Sequence, residues 1–287
     1  MNEVPKNIAV LTGKRGGYGA MKPMLRLIDQ DPCLRLSLIV TDQHLNPEFG
    51  ATIGEIERDF TVAGKVAMDQ TGDTPVERSR ALGRCLERIS DLLAELKPDL
   101  LVLYGDRGEV LAAATAALHL QIPLAHLQGG DVSGNADELM RHAVTKLAHL
   151  HYPSTEDAAE RLIGLGEEAW RVNCVGDNHV DPIVAGNYTS SNGVRQRFAI
   201  KQDKKPIIVL YHPETTRKRD HYADMKGILE MVLEQNRRTI IVYPCSDAGY
   251  QQIIRAVDEV RFFEDVSIHK NIDAPDFHGL LAIADVM

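Results

Sequence analysis

Short apolar runs alternate with segments of helical spacing along most of the chain. In the clearest stretch, the apolar run 100–104 leads through a small-residue helical pattern into a second run at 122–127. Such runs, bounded by turn-forming residues, predict buried strands. The predicted strands are residues 6–12, 36–40, 100–104, 122–127, 148–152, 171–175, 206–210, 239–243 and 266–270. The predicted helices are residues 21–28, 52–58, 77–96, 138–147, 156–165, 222–236, 250–259 and 277–284. This alternation predicts an α/β fold with parallel sheets.

The alternation is interrupted once, at residues 186–205, which are polar and poor in large aliphatic side chains. We interpret this stretch as a linker between a Rossmann-like domain at 1–185 and a second one at 206–287. A fourth strand of the second sheet is expected to begin at Asp285, with no helix after it to cover it. The second domain is therefore predicted to be incomplete, either because it is abbreviated or because residues follow Met287.

The composition and charge of the chain indicate which kinds of protein and of binding partner are to be expected. The 287 residues are 44% hydrophobic and 25% charged, as in soluble globular proteins, and the net charge of -9 argues against nucleic acid as a partner. The four cysteines lack CxxC spacing, which predicts neither a zinc site nor disulfides and fits a reducing, cytoplasmic setting. No apolar run reaches the roughly 18 residues of a membrane helix, so no membrane partner is expected.

Polar residues follow the predicted strands at the places where the strands end. Asp106 and Arg107 follow the first of the two central runs, and Gln128 and Asp131 follow the second. Because parallel strands end at one edge of a sheet, Asp106, Asp131 and the pair Asp137 and Glu138 are expected to share one crevice. Neighbouring carboxylates raise one another's pKa, which suits acid and base roles near neutral pH. The alternative is that each carboxylate caps a helix.

The glycine-rich turn at residues 13–19, GKRGGYG, follows the first strand. It matches neither GxGxxG nor GxxxxGK[ST], so a nicotinamide-type site is not expected. Arg15 and the amides of the following helix start would suit a phosphate, although the turn could equally serve the chain reversal alone. His44 follows the second strand, where a lone histidine is more often a structural hydrogen bonder than a functional group.

Five segments carry a resemblance that covers nearly the whole chain. They read GDRGE, HLQGGDVSGNADELMRHAVTKLAHLH, TDQHLNPEFGATIGEIERDF, LYHPETT and YPCSDAG. In these segments the chain closely resembles the hydrolysing UDP-N-acetylglucosamine 2-epimerases, which include bacterial enzymes of sialic acid biosynthesis and the epimerase half of the bifunctional animal enzyme. The resemblance implies two Rossmann-like domains facing across a cleft, the glycosyltransferase-B-like arrangement. It also implies a homo-oligomer, dimer or tetramer.

The reaction that the resemblance implies converts UDP-N-acetylglucosamine and water into UDP and N-acetylmannosamine. The bond from C1 to the UDP oxygen breaks, a base removes the C2 proton to leave a 2-acetamidoglucal, and water adds at C1 while C2 is reprotonated on the other face. Carboxylates would stabilise positive charge at C1, and a shielded carboxylate would serve as base. No cofactor and no metal are implied.

The family's functional residues can be placed on this chain position by position. The matches implied to be catalytic are Asp106, Asp131, Asp137 and His212. Those implied to bind the UDP-sugar substrate are Arg15, His44, Arg107, Gln128, Arg141 and Asp247.

The chain departs from the family pattern at several of these places. Gln128 stands where several members have a glutamate base, and Asp131 stands where glutamate is common. Gly16 and Gly17 replace an alanine and an acid, Cys245 replaces an asparagine, and the family's GNSS-type segment would begin after Met287. Two alternatives therefore stay open. One is an enzyme for another nucleotide-linked sugar, such as a diacetamido-trideoxy sugar, and the other is a catalytically silent protein that binds nucleotide sugars.

Overall fold

The computed structural model describes residues 4–214 and 219–287, so the last two residues of the LYHPETT motif lie outside the described residues. The chain forms two compact units. The first consists of residues 1–46, 51–70 and 79–182, and the second of residues 47–50, 71–78 and 183–287.

The first unit is built on a six-stranded sheet with the strand order β3-β2-β1-β4-β5-β6. All of the pairings between these strands are parallel. The strands are β1 Lys6–Thr12, β2 Leu34–Thr41, β3 Val62–Val66, β4 Leu100–Tyr104, β5 Leu124–Leu127 and β6 Leu150–Tyr152. The helices that connect them are α1 Arg15–Gln30, α2 Ile53–Asp59, α3 Pro75–Leu96, α4 Gly108–His119, α5 Ala136–Leu147 and α6 Glu156–Gly164. The chain moves outward from β1 and then returns to its other side at β4, so the strand order reverses between these two strands.

Both faces of this sheet are covered by helices, which explains why its central strands are continuous apolar runs. Along β1, Ala9 belongs to the core on one face and Val10 to the core on the other. Helix α3 contributes a buried stripe to the first of these cores, as its apolar spacing predicts. The residues of that stripe are Ala81, Cys85, Ile89 and Leu93.

The second unit holds a three-stranded parallel sheet with the order β7-β8-β9. The strands are β7 Ile207–Val209, β8 Thr239–Val242 and β9 Val266–His269. The remaining helices of the chain are α7 Val180–Val184, α8 Ser191–Arg197, α9 His221–Leu233, α10 Tyr250–Glu259 and α11 Ala274–Ile283. The α/β class and the parallel sheets expected from the sequence are confirmed.

The structure differs from the sequence-based expectation in four places. The strand predicted at 171–175 is wrong, because only one bridge forms there, between Val172 and His151. The edge strand β3 was not predicted. Part of the segment 186–205 folds as α8 within the second unit, where Val194 and Phe198 are buried in its core. Where a further strand was expected near the end of the chain, Val286 makes one isolated bridge to Ile207.

In the part of the chain that the structure describes, no helix is both long enough and apolar enough to cross a lipid bilayer.

Candidate functional site

The loops after β4 and β5 lie side by side at the carboxyl edge of the first sheet. Tyr104 and Leu127, the last residues of the two strands, are paired, and the amide of Gly105 donates to the carbonyl of Leu127 at 3.0 Å. Asp106 and Gln128 therefore begin neighbouring loops. This edge is also where the strand order reverses, at β1 and β4, which is the usual ligand position in an open α/β sheet.

Arg141 of α5 connects the two loops. Its guanidinium donates one hydrogen bond to the carboxylate of Asp106 and another, of 2.8 Å, to the main-chain oxygen of Asp131. Burial raises the pKa of the Asp131 carboxyl; the nearby Arg141 and Arg161 oppose this shift, while Asp177 and Asp106 add to it. The sequence placed Asp106 and Asp131 in one crevice, and in the structure Arg141 contacts both residues.

A second group of side chains surrounds Gln128. The Gln128 Nε2 atom donates to the Oδ1 atom of Asp177 at 3.2 Å. The ring Nδ1 of His179 lies 2.9 Å from the same Asp177 oxygen and 3.1 Å from the hydroxyl of Tyr104. Gln128 itself has a left-handed backbone conformation, with φ of 60°. Asp177 and His179 were not among the predicted site residues, although an acid and a histidine directly before α7 were visible in the sequence as Gly-Asp-Asn-His.

The charges of this group act on one another. Burial raises the pKa of the Tyr104 hydroxyl, and the carboxylates of Asp177, Asp106 and Asp131 raise it further, so Tyr104 stays protonated. Burial alone would raise the pKa of Asp177, but hydrogen bonds from the amide and the ring of His179 outweigh it and lower that pKa. The site therefore holds Asp177 as an anion beside a neutral phenol.

His126 of β5 contacts the backbone of the loop that carries Asp106. Its Nε2 donates to the carbonyl of Gly105 at 2.7 Å, and its Nδ1 lies 3.2 Å from the hydroxyl of Thr145. The ring is fully buried, and burial lowers its pKa to about 4, so it is neutral at pH 7. Sequence reasoning missed this residue, because a histidine inside an apolar run gives no sign of which backbone group it meets.

Asp137 lies in the first turn of α5 and is partly exposed. The capping residue of this helix is Asn135, whose side chain accepts hydrogen bonds from the amides of Asp137 and Glu138 at 3.0 and 3.3 Å. The alternative that Asp137 caps the helix is therefore wrong.

The remaining predicted residues of the first unit lie around β1 and β2. Arg15 begins α1 and is partly exposed, and Arg107 is buried directly before α4. His44 is fully buried, with its ring nitrogens 3.0 Å from the hydroxyl of Thr12 and 2.6 Å from that of Thr52. Burial, and secondarily the charge of Arg15, lowers the pKa of His44 to about 3. The ring of His44 thus supports the loop after β2 from inside the protein.

His212 and Asp247 lie in the second unit, after β7 and β8. Cys245 joins them, since its amide donates to the Nδ1 of His212 at 3.1 Å and its thiol to the carboxylate of Asp247 at 2.7 Å. The two predicted residues therefore share one loop cluster at the carboxyl edge of the second sheet.

No group of histidine, cysteine and acidic side chains is arranged to hold a metal ion, within residues 4–214 and 219–287.

Comparison with known proteins identifies the family of the chain. The sequence model of the family described as UDP-N-acetylglucosamine 2-epimerase matches residues 26–287. The chain belongs to this family. Among its relatives, the UDP-N,N'-diacetylbacillosamine 2-epimerase (hydrolyzing) of Legionella pneumophila is 35% identical, over 98% of this chain and 75% of that protein. The GDP/UDP-N,N'-diacetylbacillosamine 2-epimerase (hydrolyzing) of Campylobacter jejuni is 32% identical, over 98% and 74%. The UDP-N-acetylglucosamine 2-epimerase of Neisseria meningitidis is 31% identical, over 87% and 66%.

Solved structures of UDP-N-acetylglucosamine 2-epimerases share the fold of this family member. A structure from Neisseria meningitidis, bound to UDP-GlcNAc, has a TM-score of 0.77 at 16% identity, covering 97% of this chain and 76% of that one. A structure from Methanocaldococcus jannaschii, in complex with UDP-GlcNAc and UDP, has a TM-score of 0.77 at 18% identity, covering 98% and 78%. At these identities the likeness concerns the fold, which is the glycosyltransferase-B-like class expected from the sequence.

Proposed function

We propose that this protein is a hydrolysing 2-epimerase that releases UDP from a UDP-linked N-acetylated sugar and inverts the sugar at C2. The observation that carries the proposal is the group formed by Asp106, Asp131 and Arg141 where the strand order of the sheet reverses. Family membership gives the class of substrate, and this group gives the chemistry.

The reaction begins when the bond between C1 and the UDP oxygen breaks and its electron pair leaves with UDP. Positive charge then develops at C1, and the Asp106 carboxylate can stabilise that charge. A base removes the C2 proton, which leaves a 2-acetamidoglucal. Water adds at C1, and an acid returns a proton to the other face of C2. Asp131 suits the acid role, because burial raises the pKa of its carboxyl above the ordinary range.

The other predicted residues have proposed roles outside this step. Arg15, at the start of α1, is positioned for an anionic oxygen of the diphosphate, where the helix amides also attract negative charge. His212 and Asp247 are proposed to bind the nucleotide from the loops of the second unit. The roles of Asp137 and Arg107 stay predictions, as do the cytoplasmic setting, the homo-oligomer and a place in sialic acid biosynthesis.

Two sugars are candidates. The relatives of Legionella pneumophila and Campylobacter jejuni are named for diacetylbacillosamine and match nearly the whole chain at 35% and 32% identity, which favours a diacetamido-trideoxy sugar. The relative named for UDP-N-acetylglucosamine is 31% identical over a shorter stretch, so this sugar is the second candidate.

The test is incubation of the purified protein with each UDP-sugar in deuterated water. We expect UDP release together with deuterium at C2 of the product, faster for the diacetamido sugar. Asp106→Asn should reduce both by about 10²–10⁴-fold, while Asp91→Asn, an exposed change on α3, should reduce neither. Calorimetric binding of a UDP-sugar without UDP release would instead indicate the silent binding protein, and equal rates on both sugars would remove the preference.

A further inference from the structure

Gln128 occupies a central place in the site but cannot serve as a base. A side-chain amide has no lone pair basic enough to take a proton from carbon near neutral pH. Its Nε2 atom instead donates a hydrogen bond of 3.2 Å to Asp177 Oδ1. The proposed reaction gives Asp106 and Asp131 other roles and leaves the base unassigned, so we consider the side chains that Gln128 contacts as candidates.

Asp177 Oδ1 accepts hydrogen bonds from two further groups, both of His179. The main-chain amide of His179 donates at 2.9 Å, and the ring Nδ1 lies at 2.9 Å. Since a carboxylate only accepts hydrogen bonds, the Nδ1 atom of His179 must carry the hydrogen. In the neutral ring the lone pair is then on Nε2, which is how a carboxylate prepares a histidine for general base catalysis.

The side chain of His179 is partly exposed to solvent. The side chain of His179 is 46% exposed, and that of Asp177 is 43% exposed. Within the described residues, the hydrogen bonds of the His179 ring all involve Nδ1. The hydroxyl of Tyr104 lies 3.1 Å from Nδ1, where its oxygen can share the Nδ1 hydrogen with Asp177.

This pair lies beside the carboxylates of the proposed reaction. Tyr104, which touches His179, is close enough to Asp106, Asp131 and Asp177 for all three to raise its pKa. Asp131 in turn is influenced by both Asp177 and Asp106. The carboxylates of Asp177, Asp106 and Asp131 thus lie around Tyr104, against whose ring His179 packs with the ring centroids 6.0 Å apart.

We propose that His179, oriented by Asp177, is the general base that removes the C2 proton in place of the amide of Gln128. The inference rests on the proposed function. In the step, the C2–H electron pair becomes the second bond between C1 and C2 as the C1–O pair leaves with UDP. The proton moves to Nε2 of His179, and Asp177 stabilises the resulting imidazolium. His179 is then a catalytic residue and Asp177 a positioning residue.

The experiment compares the wild-type protein with His179→Ala on both UDP-sugars in deuterated water. We expect UDP release and deuterium at C2 to fall together by about 10²–10⁴-fold, the usual contribution of a general base. Imidazole added to the buffer should restore part of the activity of this variant and leave the wild type unchanged. His119→Ala, an exposed change at the end of α4, is the matched control and should be unaffected.

A second arm returns a carboxylate to the strand end. The double variant with Gln128→Glu and His179→Ala should be at least tenfold more active than His179→Ala alone. Circular dichroism should show that both variants keep the native fold. Activity of His179→Ala within threefold of wild type would overturn the inference while the proposed function stands. A large loss that neither imidazole nor Gln128→Glu restores would also overturn it, since the role would then be structural. If the wild type turns over neither sugar, the inference fails together with the proposed function.

Discussion

Arg141 and Asp106 form an ion pair that is almost closed off from solvent, with 9% and 13% of their side chains exposed. The guanidinium also reaches the main-chain oxygen of Asp131 at 2.8 Å, so a single side chain of α5 fixes the loops after β4 and β5. The Asp106 carboxylate supplies a negative charge to the site, and the ion pair with Arg141 fixes the position of that carboxylate.

Replacing Arg141 by alanine is expected to lower both stability and activity. It leaves the Asp106 carboxylate in a mostly buried place without its partner, which costs about 3 kcal/mol of unfolding free energy. Urea unfolding measures this change. The control is Lys6→Ala, which breaks an ion pair whose side chains are 70% and 43% exposed and should change little. Equal effects of the two substitutions would show that Arg141 does not fix the loops.

Replacing His126 by phenylalanine tests the support beneath the Asp106 loop. The change removes the donor to the Gly105 carbonyl, and an unsatisfied buried carbonyl costs about 1–3 kcal/mol. Since Gly105 precedes Asp106, we also expect slower turnover at unchanged protein concentration. Thr145→Val, which removes the longer bond to the other ring nitrogen, is the control and should cost less in chemical unfolding. A larger effect from Thr145→Val would contradict this assignment.

The two buried histidines make stability depend on pH in one direction. His44 and His126 have pKa values of about 3 and about 4 in the folded protein, below the ordinary value of 6.5. At a pH between the folded pKa of each ring and 6.5, the unfolded chain binds a proton at that histidine and the folded protein does not. The free energy of unfolding therefore falls as the pH drops below about 6.5 and recovers as the pH rises. Each ring contributes at most about 1.4 kcal/mol per pH unit inside its window.

The measurement is the free energy of unfolding from pH 7 to pH 4.5. His44→Gln should flatten the dependence, whereas the exposed His119→Gln should leave the slope as it is. A slope that does not respond to His44→Gln would mean that this ring is protonated in the folded protein.

Two glycines of the GGDVSG segment should respond differently to alanine. Gly130 has φ of +87°, and an added Cβ would lie 2.5 Å from the main-chain oxygen of Ala158, so Gly130→Ala meets both strain and a clash. Gly134 has φ of +68° and open space around it, so Gly134→Ala meets strain alone. We expect about 1 kcal/mol for Gly134→Ala and clearly more for Gly130→Ala, measured by thermal unfolding. Equal losses of stability in the two variants would mean that the positive φ accounts for the whole effect and that the contact with Ala158 adds nothing.

The strands that could be predicted from the sequence are those buried on both faces. β1 and β4 are continuous apolar runs because helices cover both sides of the sheet. β3 reads Val-Ala-Gly-Lys-Val at the edge of the sheet, where a partly exposed strand needs no apolar run. Residues 171–175 have a strand-like composition, but most of them are exposed, and among the described residues they form a single β-bridge, between Val172 and His151.

The site could be predicted as far as strand ends could be located. Asp106, Gln128 and Asp131 were found because parallel strands finish at a common edge. The contacts of His126 and of His179 depend on how a ring is turned and on which loop passes nearby, and neither follows from local spacing. For His44, the position after β2 favoured a structural hydrogen bonder, and its buried ring lies against the hydroxyls of Thr12 and Thr52.

At Gln128 the left-handed backbone favours glycine for stability, whereas the contact with Asp177 requires a side-chain amide. A side chain other than glycine at φ of 60° strains the main chain, and glycine would relieve that strain while removing the amide that holds Asp177. Laboratory evolution for heat resistance alone should therefore enrich glycine at position 128 and produce proteins that outlast the parent while working less well. Selection for turnover should return a longer side chain to the same position.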